Sequence, residues 1–168
     1  MSKFKMLEII RPDDWHVHLR EGQLLECVIK STTRVMKRSI VMPNLTIPIT
    51  TSSLCKKYKK QIFKIISNEE FEPLIPCYLT DEINLDDFDF ALQNNIFVGA
   101  KLYPLNSTTN SKYGVTNIEK IYPALELLNK YNKPLLVHGE KVIEGISLFD
   151  REKYFIDDEL TKINKNFS

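Results

Sequence analysis

The sequence predicts an α/β protein in which strands alternate with helices around a parallel sheet. Short apolar runs, typical of strands covered on both faces, recur along the 168 residues. Segments with apolar residues at helical spacing separate these runs. Polar residues suited to chemistry follow the runs, at the strand ends where parallel α/β proteins bind their ligands. This alternation fits either an open doubly wound sheet or a (β/α)8 barrel.

Each predicted element follows from a local pattern. The predicted strands cover residues 8–19, 39–42, 74–79, 96–103 and 134–138. The first and last predicted helices cover residues 24–37 and 151–163. The second begins after Thr51 or Ser52, either of which can cap it, and the short third helix carries the apolar residues Leu85, Phe88 and Leu92. The fourth begins at a capping-box sequence, residues 116–119. Pro76 weakens the third strand, and Pro123 predicts a kink or a later start for the fourth helix.

Composition narrows the class of protein, its partners and its cellular compartment. The chain is 43% hydrophobic and 27% charged with a net charge of +1, which is typical of one soluble domain and gives no reason to expect nucleic acid or an acidic membrane as a partner. Three dispersed cysteines without a C-x-x-C motif favour reduced thiols. The first residues do not read as a signal peptide and no apolar run approaches 18 residues, so we expect a cytoplasmic protein. No glycine-rich nucleotide-binding motif follows any predicted strand.

Two histidines are placed to act together. In a strand, His16 and His18 point to the same side while Val17 points to the other, so their imidazoles form a bidentate pair for a divalent metal. Arg20, two residues after His18, points to the same side of the strand. The alternative is a pair of half-exposed histidines on an edge strand. The third histidine, His138, also lies at a strand end, and this placement favours metal ligands.

Lys101 is unusual because it lies in an otherwise apolar strand. Burial disfavours the charged form of a lysine and lowers its pKa. A neutral amine can add carbon dioxide to form a carbamate, whose two oxygens can bridge two metal ions. The alternative is a lysine that reaches solvent from the strand end.

Six motifs in order give the sequence a specific family resemblance. Residues 14–20, 41–45, 77–81, 100–104, 108–116 and 135–140 resemble the corresponding motifs of dihydroorotase, in the shorter bacterial form, within the amidohydrolase superfamily. The resemblance runs from about residue 11 to residue 155. It implies a (β/α)8 barrel of the TIM type, in which residues 1–168 form a single metal-dependent amidohydrolase domain.

The resemblance also implies a set of metal ligands. His16 and His18 would bind the first of two Zn²⁺ ions per subunit, carbamylated Lys101 would bridge both ions, and His138 would bind the second.

Further residues would bind the substrate. Arg20 and Asn44 would hold the carboxylate of dihydroorotate, a task that suits the planar guanidinium group. The loop around residues 108–109 resembles the mobile loop that covers the substrate in this family. The implied activity is the reversible, zinc-dependent cyclisation of N-carbamoyl-L-aspartate to L-dihydroorotate in pyrimidine (UMP) biosynthesis. The implied partners are this small-molecule substrate and, in the full-length form, a second copy in a homodimer.

The sequence departs from the family in its length. A (β/α)8 barrel typically takes about 250 residues, so we expect only about the first five βα units here, with the barrel incomplete at the C-terminus. The family's general-base aspartate and its later histidines belong to strands six to eight, and the catalytic base of this chain is therefore unknown. We expect a fragment or a truncated form with little or no dihydroorotase activity by itself.

Two alternatives remain open. A non-catalytic, dihydroorotase-like scaffold need bind no zinc, although every ligand expected before residue 140 is present. Another cyclic amidase, a hydantoinase or allantoinase, would share the histidine pair and the bridging lysine. Arg20 and Asn44 favour dihydroorotase over these enzymes.

Overall fold

Parallel strands alternate with helices through residues 6–66 and 70–167, the part of the chain that the computed structural model describes. The strands are β1 (Asp13–Val17), β2 (Arg38–Val41), β3 (Glu72–Leu74), β4 (Cys77–Tyr78), β5 (Ala100–Leu102) and β6 (Leu135–Val137). The helices are α1 (Gly22–Val35), α2 (Ser52–Ile65), α3 (Leu85–Gln93), α4 (Tyr122–Lys130), α5 (Arg151–Phe155) and α6 (Thr161–Asn166). Turns of 3₁₀-helix precede α4 (Ile118–Ile121) and α5 (Leu148–Asp150), and a π-helical turn (Ile156–Leu160) joins α5 to α6.

The strands form two parallel three-stranded sheets. One has the order β1-β2-β3 and the other β4-β5-β6. Within each sheet a helix joins each strand to the next, as the long crossovers of parallel strands require, whereas only Ile75 and Pro76 separate β3 from β4. The predicted α/β class with a parallel sheet is therefore confirmed, as a partial fold.

The third predicted strand, residues 74–79, is divided rather than continuous. β3 pairs with β2, whereas β4 pairs with β5. Pro76 lies between them and has no N–H to donate, so the chain leaves one neighbour there and joins the other. Residues 6–66 and 70–167 thus contain six short strands where five longer runs were predicted.

The first strand is also shorter than predicted. β1 begins at Asp13, which pairs with Arg38 at the start of β2. Upstream of Asp13, Ile9 and Ile10 are exposed. Because β2 offers no pairing partner for these residues, the apolar sequence around Ile9 does not become strand.

Local capping explains where two helices begin. Thr51 caps α2, and its hydroxyl accepts a hydrogen bond from the Leu54 N–H at 3.3 Å. The fourth helix starts late, as Pro123 predicts, because this proline occupies the first turn of α4, where no N–H is needed. The predicted capping box at residues 116–119 is wrong in detail, because Asn117 rather than Thr116 caps the 3₁₀ turn. The Thr116 hydroxyl instead donates a hydrogen bond to Asp81 at 2.6 Å.

The core lies between the helices and the two sheets. Leu25 and Ile29 bury one side of α1, while Leu24 on the same helix stays exposed. Gly99 is required beside β6, because a Cβ at this position would lie 2.3 Å from the Pro134 carbonyl oxygen. Of the helices in the described ranges, none is long and apolar enough to cross a membrane.

Candidate metal centre

His16 and His18 converge at the carboxyl end of β1. Their Nε2 atoms lie 3.2 Å apart and their ring centroids 5.2 Å apart. The pairing register of β1 with β2 shifts between Asp14 and Val17, an irregularity of the kind that re-aims side chains near active sites. The Asp14 carboxylate accepts a hydrogen bond from the His16 backbone N–H at 2.9 Å and fixes this turn of the strand. Two imidazole nitrogens therefore face one point.

The environment keeps both imidazoles neutral near neutral pH. Burial and the positive charge of Arg20 lower the pKa of His18 to about 4, although Asn44 partly opposes this change. His16 is more exposed than His18, and partial desolvation together with the charge of Lys101 lowers its pKa. The neutral imidazole is the form that binds metal ions. His18 Nδ1 is buried and has no hydrogen-bond partner among the described residues.

Lys101 is buried in β5 rather than extended to solvent. Its residue exposure is 2%, and its Nζ donates a hydrogen bond to the Val137 carbonyl oxygen at 2.9 Å. Burial lowers the pKa of the amine to about 8. A substantial neutral fraction is then present near physiological pH, and the neutral amine is the form that reacts with carbon dioxide. The positive charge of Lys101 contributes to the lowered pKa of both His16 and His18.

His138 follows β6 and lies beside Tyr103 and Glu140. Its ring centroid is 6.0 Å from that of Tyr103, and its Nε2 lies 3.4 Å from Glu140 Oε1. The charge of His138 also contributes to the lowered pKa of His16. Within residues 6–66 and 70–167, however, no three His, Cys, Asp or Glu side chains converge closely enough to hold a metal ion.

Arg20 adds positive charge beside His18. Its backbone has φ +60°, in the left-handed region, and its carbonyl oxygen accepts a hydrogen bond from the Tyr58 hydroxyl at 2.7 Å. This bond holds the turn between β1 and α1 in place. The guanidinium charge is then close enough to lower the pKa of His18.

Asn44 follows β2 and binds the loop that the sequence predicts to cover the site. Its Nδ2 donates to the Thr109 carbonyl oxygen at 2.9 Å, and its own carbonyl oxygen accepts from Asn110 Nδ2 at 3.0 Å. The Tyr78 hydroxyl donates to the Asn110 carbonyl oxygen at 3.2 Å. Asn44 Oδ1 is buried without a hydrogen-bond partner in the described chain.

Sequence reasoning missed three residues of this site: Tyr78, Tyr103 and Glu140. Tyr103 lies two positions after Lys101 and shares its face of the strand. The alternation of side chains along a strand could therefore have identified Tyr103 from the sequence. Glu140 lies close to His138 in sequence, but only the structure shows its carboxylate beside the ring.

The fold and the site define a class: α/β proteins with parallel strands that carry a paired-histidine, buried-lysine centre at the strand ends. No family model matches the sequence. Among curated proteins, the chain is 47% identical over 154 residues to dihydroorotase of Salmonella arizonae, covering 91% of this chain and 44% of that protein. It is 45% identical to dihydroorotase of Buchnera aphidicola, with 99% and 48% covered.

Solved structures agree. The chain matches dihydroorotase from Saccharomyces cerevisiae, solved in complex with 5-fluoroorotic acid, with a TM-score of 0.84 and 33% identity over 93% of this chain and 44% of that one. Dihydroorotase from Campylobacter jejuni gives a TM-score of 0.83 and 34% identity, covering 94% and 45%. L-Hydantoinase from Arthrobacter aurescens shares the fold at a TM-score of 0.66 and 14% identity, with 93% and 39% covered.

These comparisons name the protein that the chain resembles. The chain resembles the amino-terminal half of dihydroorotase, and it spans about half the length of the curated relatives it matches.

Proposed function

We propose that this chain supplies the first metal ligands and the carboxylate-binding residues of a dihydroorotase. The reaction is the reversible cyclisation of N-carbamoyl-L-aspartate to L-dihydroorotate in pyrimidine biosynthesis. The proposal rests on the convergence of His16 Nε2 and His18 Nε2, together with a buried Lys101 whose charge acts on both rings. Dihydroorotase relatives at 45–47% identity favour this reaction over that of the more distant hydantoinase.

The donor types present fit zinc, although within the described residues they make up only part of a ligand set. Neutral imidazoles are preferred zinc ligands, and the lowered pKa of His18 keeps that ring neutral. Lys101 carries an amine that is prone to carbamylation, and the carbamate would bridge two Zn²⁺ ions, with His138 on the second. Bound zinc would supply Lewis-acid activation of the amide carbonyl.

Other residues of the chain would orient the substrate. The Arg20 guanidinium presents paired N–H donors that match a carboxylate, and the Asn44 amide would add another donor once it releases the Thr109 carbonyl oxygen. The loop that carries Thr109 and Asn110 would exclude water from the substrate. We also propose a homodimer for the full-length form and, because all three cysteines are free, a reducing cytoplasmic setting.

Zinc binding by the purified chain tests this proposal. We expect the wild-type chain, incubated with ZnCl₂ and bicarbonate, to retain zinc through dialysis, and His18→Gln to bind it at least about tenfold more weakly. L-Dihydroorotate should raise the unfolding temperature of the zinc-loaded wild-type chain more than hydantoin does. A wild-type chain that retains no zinc would contradict the proposal and favour a scaffold without metal.

A further inference from the structure

The Tyr103 hydroxyl is a buried polar group without a partner. Tyr103 is 1% exposed, and its Oη has no hydrogen-bond partner within the described residues. Burying a hydroxyl without a hydrogen bond is costly, and most buried polar atoms in proteins are paired. An unpaired hydroxyl at this position therefore requires an explanation.

Other buried or half-buried tyrosines do not share this property. The Tyr58 hydroxyl donates to the Arg20 carbonyl oxygen, and that of Tyr78 donates to the Asn110 carbonyl oxygen. Tyr131, the half-buried residue that follows α4, donates to Asp89 at 3.0 Å. The fold thus satisfies these hydroxyls and leaves Tyr103 unsatisfied.

The candidate site surrounds the Tyr103 ring. Tyr78 stacks on it with centroids 5.1 Å apart, and Lys101 Nζ lies 5.2 Å from its centroid. The His138 ring lies 6.0 Å away. Burial raises the pKa of Tyr103, and the positive charge of Arg20 partly opposes this, so the guanidinium is within electrostatic range of the hydroxyl.

The loop of residues 104–116 keeps neighbouring polar groups occupied. The Asn44 amide is engaged by Thr109, and the Tyr78 hydroxyl by Asn110. A ligand held by Asn44 must therefore displace the Thr109 carbonyl oxygen. The same displacement would open the space beside Tyr78, against which Tyr103 stacks.

We propose that Tyr103 is a positioning residue whose hydroxyl donates a hydrogen bond to the carboxylate of the ligand held by Arg20 and Asn44. This inference rests on the proposed function and deepens it, because it adds a neutral donor to the carboxylate subsite. A hydroxyl can only stabilise an anion here as a donor, and a hydrogen bond to a charged group is stronger than one to a neutral group.

The test separates ligand binding from stability in the zinc-loaded 168-residue chain. We expect Tyr103→Phe to weaken L-dihydroorotate binding roughly tenfold in calorimetric titration. Its zinc content should equal that of the wild type. The unfolding temperature without ligand should stay unchanged or rise, since the removed hydroxyl has no partner to lose. The matched control, Tyr131→Phe, loses a hydrogen bond to Asp89 and should lower the unfolding temperature without changing the Kd.

Each other outcome overturns the inference in a distinguishable way. Equal Kd values for the wild type and Tyr103→Phe would reject the role of Tyr103 and leave the proposed function intact. A lower unfolding temperature with an unchanged Kd would make the hydroxyl structural. Loss of zinc would assign the hydroxyl to the metal centre instead. A wild-type chain that retains zinc but does not bind L-dihydroorotate would reject both the proposed substrate and this inference.

Discussion

Side-chain hydrogen bonds join the segments of Asn44 and Asn110, which are 66 residues apart in sequence. The Asn110 side-chain amide donates to the Asn44 carbonyl oxygen at 3.0 Å, and the Asn44 side-chain amide donates to the neighbouring Thr109 carbonyl oxygen at 2.9 Å. The loop is therefore tied to the end of β2 through the residue that we propose to bind substrate. Under the proposed function, substrate and loop would compete for the same amide.

Removing the Asn110 side chain should loosen this loop. Asn110 has φ +56°, so Asn110→Gly removes the amide without straining the backbone. Loss of one hydrogen bond should speed amide hydrogen exchange in residues 106–112 about fivefold. Mass spectrometry of the exchanged chain measures this.

Asn106→Gly is the control for the loop variant. Asn106 has a similar φ of +57° in the same loop, and its exposed side chain makes no hydrogen bond to Asn44. Equal exchange in the two variants would mean that the Asn110 amide does not hold the loop.

The stability of the metal-free chain should depend on pH through Lys101. The unfolded chain keeps the lysine proton up to about pH 10.5, whereas the folded chain releases it near 8. Below pH 8 the full penalty of burying the charge applies, and it declines as the pH rises towards 10.5. At about 1.4 kcal/mol per pH unit, this penalty is on the order of 3 kcal/mol.

Lys101→Met isolates this effect because the cysteines and tyrosines are the same in both chains. The variant should gain free energy of unfolding relative to the wild type at pH 7 and lose most of that gain at pH 10, as measured by urea denaturation without metal or bicarbonate. A difference that stays constant between the two pH values would show that Lys101 is not a buried charge.

The three cysteines should react at very different rates. Cys27 is exposed, whereas Cys55 and Cys77 are buried. Burial raises the pKa of the Cys55 thiol to about 11 and that of Cys77 further above its usual value, so little thiolate forms.

A thiol reagent such as Ellman's reagent at pH 8 measures this difference. One thiol per native chain should react quickly and all three in urea, and Cys27→Ser should abolish the fast phase. Fast reaction of two thiols in the native chain would contradict the burial of Cys55 or Cys77.

Turnover by residues 1–168 alone should be little or none. Proton transfer in the proposed reaction needs a general base, and within the described ranges no third His, Cys, Asp or Glu joins His16 and His18 at metal-binding distance. A spectrophotometric assay of L-dihydroorotate with the zinc-loaded chain tests this. Zinc-dependent turnover that is lost in His18→Gln would show that the chain provides its own base.

Sequence periodicity predicted part of this structure, and long-range pairing decided the rest. The period of two placed His16 and His18 together, and the apolar run around Lys101 predicted its burial, because both depend on a single strand. Pro76 signalled a weak strand, but its division between two sheets depends on which neighbours pair on either side.

Contacts between distant segments could not be predicted. The bond from Asn44 to Thr109 joins residues 65 positions apart, and no local pattern encodes it. The unpaired hydroxyl of Tyr103 is likewise a property of the packed site.

The left-handed backbone of Arg20 has a consequence for how this site could change. A non-glycine residue in that conformation costs roughly 1 kcal/mol or more, which glycine would recover. The substitution that relaxes the turn most also deletes the guanidinium beside His18. If Arg20 binds a carboxylate as proposed, selection for stability and selection for ligand recognition would act in opposite directions at this position, and stabilised variants with glycine here should lose that recognition.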